Sequence, residues 1–174
     1  MMEIIRVPEE RVGELMGENG KNKKRIEEHY GVKISVKDEG EVTVEGDGAD
    51  AFFAKDVVRA IGRGFKIEEA VKLFKDDYLF HVIDLRDQFD TDNARKRMKG
   101  RVIGEKGKIK KDIENSTDAY ICIYGHTIAI IAPAELMDFA KEAVFKILDG
   151  APHTTVLNYL KTVRERKLAI KLKG

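Results

Sequence analysis

The 174-residue chain has one cysteine, three prolines and almost no net charge, and each shortage rules something out. With Cys122 alone no intrachain disulfide can form, and a reducing compartment is the simplest home. No apolar run approaches the roughly 20 residues that a membrane span requires. The acidic Met-Met-Glu start is unlike a signal peptide, so a soluble cytoplasmic protein without membrane contact is expected. Gly/Ser-rich linkers are missing too. His29, His81, His126 and His153 show no ligand spacing, so no metal is expected. A Walker A loop needs a glycine five residues before its Gly-Lys pair and Ser or Thr after it. Here Leu15 or Val102 stands first and Asn22 or Ile109 last. No nucleophile–base motif appears either, so the chain is expected to be neither an enzyme nor a cofactor carrier. Gln88 is the sole glutamine among many Lys, Glu and Arg residues, a bias of heat-loving organisms.

What is present is charge, unevenly spread. Charged residues make up 36% of the chain and hydrophobic ones 43%, a globular composition whose acids nearly cancel its bases, leaving +1. Yet Arg95 to Lys111 holds nine basic residues against one acidic, net +8. Within it a helical approach (Met98, Val102, Ile103) is interrupted by Gly104-Glu105-Lys106-Gly107, and a second helical pattern starts with Lys108, Ile109 and Ile113. Two glycines permit a tight turn, and the new helix presents unpaired N–H groups and its positive dipole end there. Cations crowding such a turn make a nucleic-acid phosphate the natural anion. Charge runs on helices are ordinarily solvated faces. Nine bases with one acid, however, leave little intrahelical pairing, so an anionic partner explains the run better.

The chain repeats itself. A shift of 87 places lays Gly17-Glu18-Asn19-Gly20-Lys21 on Gly104-Glu105-Lys106-Gly107-Lys108, Lys24 on Lys111, and Ile34 and Val36 on Ile121 and Ile123. A shift of 86 then lays Phe53-Ala54-Lys55 on Phe139-Ala140-Lys141. Each unit reads strand, helix, helix, strand, strand, helix. In order, the first has a strand at 3–7, helices at 11–16 and 21–29, strands at 32–36 and 42–44, and a helix to about Ile61 with Phe53, Val57, Val58 and Ile61 inward. The expected divisions are 1–65, a helical linker at 66–77, 78–150, and a basic tail at 151–174 containing a helix from Val156 to Arg166. Units of about 70 residues bury little surface alone, so the two are expected to pack together. The strand positions Tyr120, Cys122 and Tyr124 are less polar than Lys33, Ser35 and Lys37. That face is expected to be covered, by the first unit or by the C-terminal segment. Cys122 itself is expected to be a small buried hydrophobe.

Gly-x-x-Gly between two helices, followed by an aliphatic strand in this order, resembles the type I KH domain, and it occurs twice. The implied fold is α+β: tandem βααββα units, each a three-stranded sheet with helices on one face, plus a C-terminal helix. More narrowly, Gly-Glu-Lys-Gly-Lys-Ile-Lys-Lys-Asp-Ile-Glu-Asn-Ser-Thr and the later Gly-Ala-Pro-His-Thr-Thr-Val-Leu-Asn-Tyr-Leu resemble the archaeal version of the partner-of-Nob-one family, across essentially the whole chain. The resemblance implies a small-ribosomal-subunit assembly factor that binds near the 3′ end of the small-subunit rRNA. It also implies cooperation with a PIN-domain endonuclease and a link to the α subunit of initiation factor 2. In such domains the Gly-x-x-Gly loop clamps four unpaired nucleotides by their backbone.

On this reading Gly104 and Gly107 admit phosphate; Glu105 belongs to the RNA-binding loop, its N–H holding the anion while its side chain points to solvent; Arg97, Lys99, Arg101, Lys106, Lys108, Lys110 and Lys111 supply field and contacts; Ile103, Ile113 and Ile121 support bases. Gly17, Glu18, Asn19, Gly20, Lys21 and Lys24 form a candidate second RNA site. Eukaryotic relatives have usually lost this first Gly-x-x-Gly, but here it is intact. Its surroundings differ, because residues 8–24 carry four bases and four acids, net zero. The second unit is therefore expected to dominate affinity, and the first to assist or to bind protein. The competing expectation is a protein-interaction scaffold whose basic patch docks an acidic partner, with RNA secondary.

Overall fold

A computed structural model describes residues 1–174 as two compact units, Met1–Asp76 and Asp77–Gly174. In the first, β1 (Met2–Arg6) leads into α1 (Glu9–Met16), a single 3-10 turn and α2 (Lys21–Tyr30). Next come β2 (Lys33–Val36), β3 (Glu41–Glu45), α3 (Gly48–Gly62) and the short α4 (Ile67–Ala70). The second repeats the order with β4 (Tyr78–Asp84), α5 (Asp92–Ile103), α6 (Lys108–Thr117), β5 (Tyr120–Tyr124), β6 (Thr127–Pro133) and α7 (Ala134–Leu148). It then adds α8 (His153–Lys173). Both sheets are three-stranded and antiparallel, with the last strand of each in the middle: β1-β3-β2 and β4-β6-β5.

Alternation decides which face each strand buries. Ile34 and Val44 pair across β2 and β3, as Ile121 and Ile130 do across β5 and β6, and all four side chains point into their cores. Over these faces lie the helices, whose apolar positions recur at helical spacing: Ala51, Ala54, Val58 and Ile61 in α3, and Met137, Ala140, Val144 and Ile147 in α7. Phe53, expected inward, is instead 54% exposed beside Phe52, because the buried stripe of α3 runs through its small residues one place away. Residues 66–77, expected as a helical linker, begin with α4, whose Ile67 and Ala70 are buried within the first unit.

Two features separate the repeats. The C-terminal carbonyls of α3 and its exit, on Ile61 and Phe65, accept from Arg11 at 2.9 and 2.6 Å. The equivalent carbonyls of Ile147 and Ala151 accept from Arg101 at 2.6 and 2.5 Å, an arginine at a different place in the repeat. Secondly, α2 ends at Gly31 with φ +67°, whereas α6 ends at Asp118 with φ +55°. Asp118 is held there by ion pairs to Lys167 at 3.2 Å and Lys171 at 3.3 Å of α8. That helix was expected from Val156 to Arg166; it starts three residues earlier and runs on to Lys173, its far end secured by these two pairs. Val156, Leu160 and Val163 bury its inner stripe against α6 and α7. It thus lies on the helical side of the second unit and does not cover the outward sheet face, where Tyr120, Cys122 and Tyr124 are only half-buried. Cys122 is accordingly not the fully buried residue expected of it.

Candidate nucleic-acid interface

The Gly104–Gly107 turn has three left-handed residues in four: Gly104 (φ +77°, ψ 173°), Lys106 (φ +56°) and Gly107 (φ +72°). The first unit reproduces it at Gly17 (φ +70°), Asn19 (φ +56°) and Gly20 (φ +74°). The two glycines have different reasons for being glycine. A Cβ on Gly104 would collide with the Ile109 side chain and lie 3.0 Å from its backbone nitrogen, whereas one on Gly107 would meet nothing within 4 Å. Gly107 answers only to its φ.

Backbone bonds close the turn on itself, Gly107 N–H donating to the Gly104 carbonyl at 3.1 Å. The N–H groups of Glu105 and Lys106 find no backbone acceptor, and both side chains are exposed. The first turn of α6 carries no acid and no side-chain cap, and its charged residues are all lysines. Cations at a positive dipole end are mutually unfavourable unless an external anion joins them. The turn is open to such an anion.

Of the expected cations, the structure leaves some free and commits others elsewhere. Arg97, Lys106, Lys108 and Lys111 are exposed and make no hydrogen bond or ion pair; the neighbouring Lys96 joins them. Lys99 reaches from α5 to the Gly125 carbonyl at 2.9 Å, bridging the helices to the β5–β6 turn. Lys110 pairs with Glu114 at 3.4 Å, and Glu114 accepts from the N–H of Ile121 on the edge strand β5 at 3.0 Å. Arg101 is a correction: two of its guanidinium nitrogens cap the exit of α7, which commits the side chain to the fold rather than to the turn. The β5–β6 turn is fastened in its turn to the residue that follows β4, by Leu85 N–H to the His126 carbonyl at 2.8 Å. Asp84, held well below the usual carboxylate range by hydrogen bonds from the Arg86 side chain, lies 3.2 Å from His126 Nδ1.

The expected base platform also needs correcting. Ile113 and Ile121 are 0% and 3% exposed, core residues that no base can touch. Strand and helix periodicity marked them as apolar and aligned, but the same periodicity turns them inward. Ile103, 38% exposed at the end of α5, remains accessible. So does Ile123, half-buried two residues beyond Ile121, which sequence reasoning passed over although its place near the strand end is where burial gives out. In the first unit Gly17, Glu18, Asn19, Gly20, Lys21 and Lys24 form the same open turn, with Glu18, Asn19, Lys21 and Lys24 lining a shallow concavity beside α2. Over residues 8–24 the charges remain balanced, four bases to four acids. No cluster of His, Cys, Asp and Glu gathers for a metal, and no helix is long and apolar enough to cross a membrane.

A family model for the second KH domain of PNO1 proteins, a eukaryotic type KH-domain (KH-domain type I), matches residues 79–165, and the general KH domain matches residues 2–60. A KH domain-containing protein from Methanocaldococcus jannaschii is 43% identical over 170 residues, 95% of this chain and 75% of that protein. The chain belongs to the PNO1 family of KH-domain proteins. Among its relatives, the pre-rRNA-processing protein PNO1 of Chaetomium thermophilum is 33% identical over 115 residues; the match spans 64% of this chain but only 44% of that longer protein. Two solved structures from Pyrococcus horikoshii are similar over nearly the whole chain. One is Dim2p, at TM-score 0.86 and 35% identity, covering 93% of this chain and 99% of that one. The other is a complex of a/eIF2alpha, aDim2p and rRNA, at TM-score 0.87 and 34% identity, with 95% of each chain covered.

Proposed function

We propose that this chain binds single-stranded RNA during small ribosomal subunit assembly in the cytoplasm, acting without chemistry of its own. The second KH unit is the principal site. The observation that carries the reading is the open Gly104–Gly107 turn, with two N–H groups lacking acceptors and free cations beside it, in a family whose solved member forms a complex with rRNA. Phosphates seat on the turn and the free lysines, while Ile103 and Ile123 flank the bases. The target is the region near the 3′ end of the small-subunit rRNA, and the 66–77 segment and the 151–174 tail act as parts of their neighbouring KH units. A PIN-domain endonuclease and the initiation factor 2 α subunit are the protein partners. For the latter, the Pyrococcus complex provides the support.

The first unit favours protein over RNA, since its turn lacks surplus charge and it exposes Met2, Ile4, Phe52 and Phe53. Replacing Glu105 and Lys106 together by aspartate tests the main reading. Both positions are exposed, and aspartate tolerates the left-handed φ of Lys106, so the melting temperature should stay nearly unchanged while RNA binding is lost. If the five free cations each contact a phosphate, wild-type affinity should fall with salt at a log–log slope of about −3.5. Retained affinity in the double variant, or a flat salt plot, would remove this turn from the mechanism.

A further inference from the structure

We propose that the back of the Gly104–Gly107 turn is a second nucleotide subsite, one that takes an unpaired guanine adjoining the clamped strand; this rests on the RNA-binding reading above. A cleft of about 280 Å³ opens there, walled by the turn and the start of α6 on one side and by α8 on the other. Leu157, only partly buried, contributes its apolar surface over the buried Ile109, and Lys106 and Lys108 its positive charge. His153 is fixed in the wall by donating from Nε2 to the Arg101 carbonyl at 2.9 Å. Asp112 completes the lining, and it has no hydrogen-bond or ion-pair partner in the protein although two lysines share the cleft.

That combination is selective. An ionised carboxylate can only accept hydrogen bonds, so it chooses ligands with adjacent donors. Guanine offers two in parallel, N1–H and the N2 amino group, matching both oxygens of Asp112. Uracil instead flanks its single N–H with two carbonyls, which a carboxylate repels. The lysines disfavour a cationic side chain as occupant and suit a ligand that brings its own phosphate. Because the same turn forms the wall of both sites, the strand held at its front needs only to pass over one loop to reach the back. The first unit, with no helix corresponding to α8, has at the same place a concavity lined by polar and charged residues alone.

The test titrates the full chain with GMP and with UMP, following methyl resonances of Ile109 and Leu157. GMP should shift them at about fivefold lower concentration than UMP, the low end of the range for a bidentate base contact. Asp112→Asn should erase that preference while leaving the melting temperature and the UMP response alone. Equal responses to the two nucleotides, a preference that survives Asp112→Asn, or shifts confined to residues outside the cleft would overturn the proposal. Anisotropy with a labelled fragment of small-subunit rRNA is measured in parallel. A chain that binds the fragment but shows no GMP preference sinks the subsite alone, whereas failure to bind the fragment sinks the reading beneath it.

Discussion

Replacing Gly104 by alanine, with Gly107→Ala as its partner, separates the two reasons a glycine occupies this turn. At Gly107 the new methyl meets open space, so the cost is the left-handed φ alone, about 1–2 kcal/mol. The loss of unfolded-state freedom returns about 0.4–1 kcal/mol of that. At Gly104 the backbone (φ +77°, ψ 173°) lies in a region essentially reserved for glycine, worth about 1–3 kcal/mol. The Cβ would in addition have to displace Ile109, which is 3% exposed and packed in the core, and forcing extra volume into a packed core costs about 1–3 kcal/mol. Gly104→Ala should therefore destabilise by about 2.5 kcal/mol more than Gly107→Ala. Urea unfolding followed by far-UV circular dichroism measures the difference, the chain having no tryptophan to report it. Gly17→Ala provides a third point: its collision is with the side chain of Asn22, which would surrender its 2.8 Å bond to the Glu14 carbonyl. Equal losses at Gly104 and Gly107 would refute the steric part of the reasoning.

Arginine and lysine substitutions should divide in the same experiment-by-experiment way. Arg101→Ala should cost about 2–3 kcal/mol of stability, since it strips charged donors from two carbonyls, whereas Lys111→Ala should cost under about 0.5 kcal/mol yet flatten the RNA salt slope by about 0.7. The opposite pattern in denaturation and binding assays would mean that the committed and free cations have been confused. His81 on β4 has its pKa lowered from 6.5, by burial first and by Lys141 second. The unfolded chain then binds the proton more readily, so this residue's contribution to stability is intact above pH 6.5 and falls as the pH drops below it. His81→Gln should be less sensitive than wild type between pH 7.5 and 5.5 in urea titrations, and identical pH profiles would contradict the shift.

Much of this architecture could be read from the residues because local chemistry dictates it. Gly104 and Gly107 announce positive φ, the 87-residue shift exposes the duplication, and alternation in Ile121–Ile123 marks a strand. What stayed hidden depends on partners distant in the chain. Arg101 looked like Lys106 until its carbonyl partners, 46 and 50 residues on, came into view. Asp118 gave no sign that two lysines of α8 would hold it left-handed. Periodicity placed Ile113 and Ile121 correctly on apolar stripes but could not tell the floor of a core from the lip of a groove. The cleft behind the turn was equally illegible, because Asp112 and Leu157 meet only once α8 has folded back.

The two arginines that finish the third helix of each unit have a practical corollary. Since Arg11 and Arg101 reach equivalent carbonyls from inequivalent starting points, the halves are not interchangeable cassettes. A chimera that grafts α1 in place of α5 delivers Met98's equivalent, Arg11, alongside a glutamate where Arg101 stood, so the graft must bring the first unit's own exit loop with it. After duplication each half settled its own wiring, and any recombination of them has to respect those private circuits.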